Sequence, residues 1–237
     1  MEVKGIRIEY LGHSGFFVNG GGRDIAIDPY NISNNAPKAD LILITHSHYD
    51  HCSIKDIQKI KKDGAIVVIP ADAQSKIAKI DNVDMQIIEP GDELQFGNIK
   101  VEAVPAYNVD KEFHSKRDGW MGFVVKFNDV VVYHSGDSDK IPEMQNLTGY
   151  GKHGMEFVAL LPVSGKYVMN VEEAVDAASL ISPDLVIPMH YGAGIAGTVD
   201  DAKKFVELCR EKGLRAEMLE KIYLPYRSSQ NEQDYSY

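Results

Sequence analysis

The chain has 237 residues, of which 44% are hydrophobic and 25% charged, the composition of an ordinary globular protein. Its formal net charge of -10 disfavours broad binding to nucleic acid or to an anionic membrane, because such binding needs clustered Lys and Arg. Two cysteines fit no disulfide framework, and no signal peptide or apolar run of about 20 residues is recognisable, so we expect a cytoplasmic protein without a membrane span.

The first half of the chain predicts short strands separated by turns, marked by apolar alternation and by bounding Gly, Pro, Asn and Asp. A helix is predicted after Ser53, an N-cap residue type followed by Ile54, Ile57 and Ile60 at helical spacing. A second helix is predicted over 71–80. The predicted strands cover 5–11, 15–18, 24–27, 41–45, 65–69, 85–88, 99–104, 122–127 and 130–133.

The second half alternates strands and helices more regularly. Strands are predicted over 157–161, 185–187 and 215–219, and helices over 171–181, capped by Asn170, and over 199–212, ended by Gly213. The whole pattern predicts an α/β fold with two packed sheets and helices outside. We expect a single domain over 1–227 and a disordered tail over 228–237, because the tail is polar and lacks periodicity.

Four residues of metal-binding types fall within six positions, at His46, His48, Asp50 and His51. They follow an apolar strand and precede the capped helix. Residues i and i+2 of an extended segment point the same way, so His46 and His48 can hold one ion from one side. The turn into the helix then directs Asp50 and His51 towards a neighbouring position. Imidazole and carboxylate suit zinc and also harder ions such as manganese, so this segment predicts a metal site.

This segment resembles the metallo-β-lactamase superfamily, whose motif is His-x-His-x-Asp-His after a β-strand. Further matching segments occur in the expected order: Tyr10-Leu11-Gly12-His13-Ser14, Ile27-Asp28-Pro29, His134-Ser135-Gly136-Asp137 and Pro188-Met189-His190-Tyr191. The chain looks most similar to the small bacterial and archaeal metal-dependent hydrolases of the superfamily. That branch is related to ascorbate-6-phosphate lactonase and to the phospholipase D that acts on N-acyl phosphatidylethanolamines. The resemblance implies a four-layer αβ/βα sandwich.

The resemblance also implies the remaining ligands. Asp137 would bridge two metals, and His190 would complete the second site. The pattern departs where a histidine normally follows the strand predicted over 99–104, because this chain has Pro105-Ala106-Tyr107-Asn108 there. His114 or His13, or both, can supply the missing ligand. Otherwise His114 would bind substrate or nothing, His13 would hold a hydrogen bond beside the site, and water would complete the metal shell.

The expected chemistry is hydrolysis with two divalent metal ions, zinc in the first place and manganese as the alternative. Such a pair lowers the pKa of a shared water, so a metal-activated hydroxide can attack a small ester, lactone or phosphoester. Asp50 is the expected catalytic residue, because it can orient the hydroxide and take its proton. The alternatives are a phosphodiesterase or nuclease acting on nucleotides or RNA, and a non-hydrolytic metal-binding protein of the same fold.

Four aromatic residues next to the motif segments are candidates for substrate binding, and they either line the mouth of the site or simply pack: Tyr107, Trp120, Tyr167 and Tyr191. Lys116 and Arg117, beside His114, either attract an anionic group of the substrate or form a solvated loop. The expected partner is therefore a small molecule that can carry an anionic group. No membrane partner is expected, nucleic acid is disfavoured, and a homo-oligomer remains an open alternative.

Overall fold

Residues 1–152 and 154–221 are described by a computed structural model, which contains two β-sheets packed against each other. The tail predicted over 228–237 and the last residues of the domain predicted to end at 227 lie outside the described residues. Over the described ranges, no helix combines the length and the apolar character that a membrane span requires.

The first sheet has seven strands that lie side by side in chain order, β1 to β7. β1 to β4 are antiparallel to their neighbours, whereas β4 to β7 are parallel. The strands are Glu2–Val3, Ile6–Gly12, Gly15–Gly20, Arg23–Ile27, Ala39–Leu43, Lys61–Ile69 and Val83–Ile87.

The second sheet has six strands in the order β13-β12-β11-β10-β9-β8. β8 to β11 form an antiparallel meander, and β11, β12 and β13 are parallel. The strands, from β8 to β13, are Glu93–Phe96, Ile99–Pro105, Met121–Lys126, Val130–His134, Glu156–Pro162 and Leu185–Met189.

Helices cover the outer faces of both sheets. α1 (Ile54–Ile60) and α2 (Gln74–Ile77) share an apolar cluster with one face of the first sheet. α3 (Val171–Ile181) and α4 (Val199–Glu211) pack against β12 and β13 of the second sheet. The facing sides of the two sheets enclose the larger core. These four layers confirm the predicted αβ/βα sandwich, because each helix and each sheet buries its apolar side against the next layer.

Two predicted elements differ from the structure. The helix predicted over 71–80 is a 3-10 turn, Ala71–Ala73, followed by the short α2, and neither start has a side-chain cap. The strand predicted over 215–219 is not formed, since Ala216 makes only an isolated bridge to Val186. Local apolar content predicted both elements, but capping and pairing partners decide whether a short segment becomes regular.

The topology brings several strand ends to the same edge of the molecule. β2, β4 and β5 run in one direction in the first sheet, as do β9, β11, β12 and β13 in the second. The carboxyl ends of co-directional strands lie at one edge of a sheet, and loops at that edge are where α/β folds commonly bind ligands. The two sheets meet there, because the His190 amide donates a 2.7 Å hydrogen bond to the His13 carbonyl.

Candidate metal centre

Donor side chains from both sheets converge at this edge. They are His13 after β2, His46 to His51 after β5, His114 after β9, Asp137 after β11 and His190 after β13. Each follows a strand, so the rigid sheet fixes its backbone while the loop sets its direction. They form two groups that adjoin across Asp137.

The first donor group consists of His46, His48 and His114, whose ligand nitrogens lie within 4.8 Å of one another. His48 Nδ1 and His114 Nε2 are 3.2 Å apart. His114 Nδ1 donates to the Tyr167 carbonyl at 2.9 Å, which leaves the Nε2 lone pair directed into the group. The structure therefore places His114 next to His46 and His48, whereas the sequence had left the third ligand of this group open.

The second donor group consists of His13, Asp50, His51 and His190, with ligand atoms also within 4.8 Å of one another. His13 Nε2 is 3.0 Å from Asp50 Oδ2, and the rings of His13 and His190 have centroids 4.2 Å apart. His13 thus lies with the second group, whereas the sequence had left it as a candidate for the gap in the first.

Asp137 lies between the two groups, and one of its oxygens faces imidazoles from both. Oδ2 is 3.1 Å from His190 Nε2 and 3.3 Å from His51 Nε2 on one side. On the other side it is 3.5 Å from His114 Nε2 and 3.9 Å from His46 Nε2. A carboxylate in this position can bridge two cations held by the two groups.

Unpaired polar atoms show that the site fits cations. Among the described residues, four buried atoms of the two donor groups and Asp137 lack a hydrogen-bond partner: His13 Nδ1, His46 Nε2, His51 Nε2 and Asp137 Oδ1. A buried polar group without a partner costs about 1–3 kcal/mol, so such groups are rare unless an ion or water pairs with them. Imidazole nitrogens and carboxylate oxygens are the donor atoms that zinc takes in proteins. The residues present therefore fit a pair of divalent ions.

Most imidazoles of the site are held in the neutral form that binds a metal. Burial lowers the pKa of His13 to about 4 and that of His46 well below its ordinary value of 6.5. Burial also lowers the pKa of His48 and of His114. These rings need not lose a proton near neutral pH to act as ligands.

The carboxylates and His51, in contrast, are held in their charged forms by their neighbours. Burial opposes ionisation of Asp50, but the hydrogen bond from His13 and the nearby His51 hold its pKa at about 2. Burial likewise opposes ionisation of Asp137, but its contacts with the nearby His190 and His51 hold its pKa well below 3.8. Burial works against a charge on His51, yet Asp137 and Asp28 raise its pKa well above 6.5. Without metal, a proton on His51 therefore offsets part of the negative charge of Asp137 and Asp28.

Asp28 orients imidazoles of both donor groups from a fully buried position. Its Oδ2 accepts hydrogen bonds from His51 Nδ1 at 2.8 Å and from the Thr45 hydroxyl at 2.6 Å. The Thr45 oxygen is in turn 2.9 Å from His46 Nδ1 and can accept its proton. One carboxylate thus directs the Nε2 atoms of His51 and His46 towards the centre.

Ser164, after β12, is a site residue that sequence reasoning missed. Its hydroxyl is 2.9 Å from His190 Nδ1, which turns the His190 Nε2 atom towards Asp137. A lone serine after a strand carries no distinctive sequence signal. Thr45 was likewise missed, although its place directly before His46 would have justified considering it.

The backbone at the site is in an unusual conformation. His13, His114 and His190 have φ angles of 57°, 62° and 60°, and Asp28 has 42°. Such left-handed positions are uncommon for residues with a side chain, and sparsely populated conformations cost about 1–3 kcal/mol each. The surrounding hydrogen bonds hold them, for example from the Asn108 amide to the His114 carbonyl at 2.7 Å.

The turn that carries Asp137 is also tightly packed. His134 Nε2 donates to the Ser14 carbonyl at 2.8 Å, and His134 Nδ1 accepts from the Gly136 amide at 3.1 Å. Gly136 has φ 61°, and a Cβ atom there would lie 2.6 Å from the Met121 carbonyl oxygen. His134 thus supports the turn with both ring nitrogens, and only glycine fits its corner.

A cavity of about 200 Å³ opens onto the centre. Donors from both groups and Asp137 form its floor, including Asp50, the predicted catalytic residue. Its walls are the side chains of Tyr49, Phe113, Tyr167 and Ile195.

The structure places only Tyr167 of the four predicted substrate-binding aromatics in this cavity wall. The Tyr107 hydroxyl donates to Glu143 at 2.8 Å, away from the centre. Trp120 packs behind the first donor group, 4.7 Å from the His48 ring. Tyr191 is buried and lines a separate cavity of about 420 Å³ on the other side of His13.

The two cationic residues predicted to attract the substrate, Lys116 and Arg117, also lie outside the cavity wall. Lys116 forms an ion pair with Glu143 at 2.7 Å and covers the ring of Tyr107 at 4.7 Å. Arg117 is exposed in a 3-10 turn. Neither side chain lines the cavity.

Comparison with known proteins agrees with this geometry. A family model described as a beta-lactamase superfamily domain matches residues 7–190, more than half of the chain. A UPF0173 metal-dependent hydrolase from Pyrococcus furiosus is 33% identical over 222 residues, covering 85% of this chain and 92% of the relative. Another from Archaeoglobus fulgidus is 33% identical and covers 90% and 95%. The crystal structure of a metal-dependent hydrolase from Parabacteroides distasonis aligns with a TM-score of 0.76 at 29% identity, covering 90% and 92%.

Proposed function

Because the chain belongs to the metallo-β-lactamase superfamily, in its UPF0173 branch of small bacterial and archaeal proteins, we propose that it is a hydrolase dependent on two divalent metal ions. The observation that carries this proposal is the position of Asp137, whose Oδ2 faces His51 and His190 on one side and His46 and His114 on the other. A buried carboxylate among four imidazoles is suited to bridging two cations.

The first donor group with Asp137 would hold one ion, and the second donor group with Asp137 the other. Six imidazoles dominate the donor set, which favours zinc, while the two carboxylates also accept manganese. Bound there, the ions supply a water of lowered pKa and polarise the substrate oxygen.

The residues of the chain would orient the reactants. Asp50 lines the cavity as a carboxylate and can accept a hydrogen bond from the attacking water. His13, 3.0 Å from Asp50 Oδ2, fixes the direction of that carboxylate. Asp28 and Ser164 hold the rings of His51 and His190, so these two donors are already oriented before a metal binds.

A small carboxylic ester or lactone is the substrate class that we propose. The cavity of about 200 Å³ is smaller than the roughly 300–1,000 Å³ of sites for drug-sized ligands. Its lining contains neither Lys nor Arg, the residues that bind phosphate groups. This composition favours an ester or lactone over a phosphodiester.

The test is hydrolysis by zinc- or manganese-loaded protein of methyl acetate, γ-butyrolactone and bis-p-nitrophenyl phosphate, followed by pH-stat or product absorbance. We expect ester or lactone cleavage that a chelator abolishes and that Asp137→Asn strongly reduces. Asp84→Asn, on the exposed part of β7, is the matched control and should remain active. Preference for the phosphodiester would favour the phosphodiesterase alternative, and metal binding without turnover would favour a non-hydrolytic protein.

A further inference from the structure

Four large side chains form an apolar collar around the cavity above the donor groups. The collar consists of Tyr49, Phe113, Tyr167 and Ile195. Phe113 and Tyr167 form an edge-to-face pair with ring centroids 5.4 Å apart. Each of the four comes from a different loop: Tyr49 from the His46–His51 segment, and the other three from the loops after β9, β12 and β13. The collar is therefore built from several elements and is not one face of a single element.

The collar leaves apolar surface in water next to the reactive centre. Tyr49 is 64% exposed and Phe113 is 45% exposed, among the largest exposures of big hydrophobic residues in the described chain. Exposed apolar surface gains free energy when a ligand covers it. A substrate group that leaves the donor floor must pass between these side chains.

Ile195 is held in place by a closed glycine-rich loop. The Gly192 amide donates to the Gly197 carbonyl at 3.2 Å. A Cβ atom on Gly197 would lie 2.7 Å from the His190 carbonyl oxygen, so the loop packs closely against the donor segment. This packing holds the loop from which Ile195 lines the cavity.

The charges around the collar do not form an anion site. Lys116 pairs with Glu143, and Lys111 pairs with Asp139. Lys166 lies at the rim, with Nζ 4.8 Å from the centroid of the Tyr167 ring, but it is exposed. A solvated ammonium attracts an anion only weakly, because water and salt screen its charge.

We propose that the apolar collar selects substrates whose acyl side is a small uncharged apolar group, such as a phenyl ring or a short alkyl chain. This inference rests on the proposed hydrolase function and names the substrate class for it. An acyl group carrying a carboxylate or phosphate would lose hydration in the collar without gaining a buried cationic partner. Phe113, Tyr167 and Ile195 are then specificity-determining residues, and the donor groups act on the ester bond common to all substrates.

Three hydroxamates test the collar without requiring turnover. Acetohydroxamate, 3-phenylpropanohydroxamate and succinate monohydroxamate share a metal-binding head and differ in the tail. Calorimetry on zinc-loaded protein should show at least about tenfold tighter binding for the phenyl tail than for the acetyl tail, the effect of filling an apolar pocket. The carboxylate tail should bind no tighter than the acetyl tail. Equal affinities, tightest binding of the carboxylate tail, or no binding of any hydroxamate would overturn the inference.

Two variants locate the effect. Phe113→Ala should bring the phenyl tail within about threefold of the acetyl tail, the loss of one apolar wall. Ile195→Ala should act in the same way from another loop, which separates the collar from any effect of Phe113 on the adjacent His114. Val109→Ala is the matched control, since Val109 is 58% exposed but does not line the cavity. Loss of acetyl-tail binding in both collar variants, or an effect of Val109→Ala equal to theirs, would refute the assignment.

Ester hydrolysis separates this inference from the proposed function. Methyl 3-phenylpropanoate should be cleaved with a kcat/KM at least about ten times that of methyl acetate, and monomethyl succinate should be no better than methyl acetate. Hydrolysis without this preference would refute the collar and leave the hydrolase function intact. A preference among hydroxamates without hydrolysis of any ester would instead refute the hydrolase function alone.

Discussion

Replacing Asp28 by Asn should weaken both metal sites at once. The Asp28 carboxylate accepts from His51 of the second donor group directly and reaches His46 of the first through the Thr45 hydroxyl. Loss of an orienting partner behind a metal ligand typically lowers metal affinity by about 10–100-fold. We therefore expect a loss of this size in each of two zinc-binding steps.

The same substitution should destabilise the metal-free protein. Asp28 is fully buried and also accepts from the Thr45 amide at 2.9 Å. An asparagine amide has one acceptor oxygen, so in either orientation at least one of these donors faces an N–H group. A buried donor without an acceptor costs about 1–3 kcal/mol. Urea unfolding of the metal-free protein measures this loss.

Two readouts resolve the metal-binding steps. Calorimetry measures the affinity of both zinc-binding steps. Trp120 is the only tryptophan of the chain, and its ring lies 4.8 Å from that of His46 and 4.7 Å from that of His48. Its fluorescence therefore reports on the first donor group.

Ser164→Ala is the control that makes the result decisive. Ser164 contacts only His190 among the donors, so its loss should weaken one zinc step and leave the fluorescence step unchanged. The reasoning fails if Asp28→Asn weakens a single step, or if Ser164→Ala weakens both equally.

Three further outcomes follow from the site. His114→Ala should weaken the zinc step seen by fluorescence and His13→Ala the other step, as two-step calorimetry would show; the reverse assignment would contradict the two donor groups. At pH 6.5, zinc uptake should release one proton from His51, because its raised pKa keeps it protonated without metal. His13, with its pKa of about 4, should release none. An indicator dye in weak buffer measures the protons released, and a number other than one would contradict this assignment. Gly136→Ala should destabilise the fold in urea by about 1–3 kcal/mol more than Gly22→Ala, because both have positive φ but only Gly136 meets a carbonyl oxygen at 2.6 Å; equal losses would argue against the close packing.

Much of the fold was predictable because local residue patterns determine where many helices and strands form. Ser53 accepts from the Asp56 amide as an N-cap, and Asn170 forms a capping box with Glu173, as their residue types predicted. Apolar alternation likewise located most strands. The segment from His46 to His51 predicted adjacent ligands, because residues so close in the chain share one turn whatever surrounds them.

Only the tertiary structure decided which distant residues meet in the centre. His114 joins the first donor group because β9 ends at the shared edge and the following loop returns the ring to within 3.2 Å of His48 Nδ1. His13 joins the second because β2 runs parallel to β5, which brings its ring to Asp50. Periodicity carries no information on strand order, and it is strand order that sets these distances.

The walls of the cavity depended on tertiary structure for the same reason. Tyr107, Trp120 and Tyr191 adjoin motif segments in sequence, yet none of them lines the cavity, while Ile195 reaches it from a loop after β13. Side-chain direction at such positions follows from local backbone angles and packing partners. The sequence by itself therefore determined the fold class and the ligand motif, and the packing of two sheets determined how the donors divide and what surrounds them.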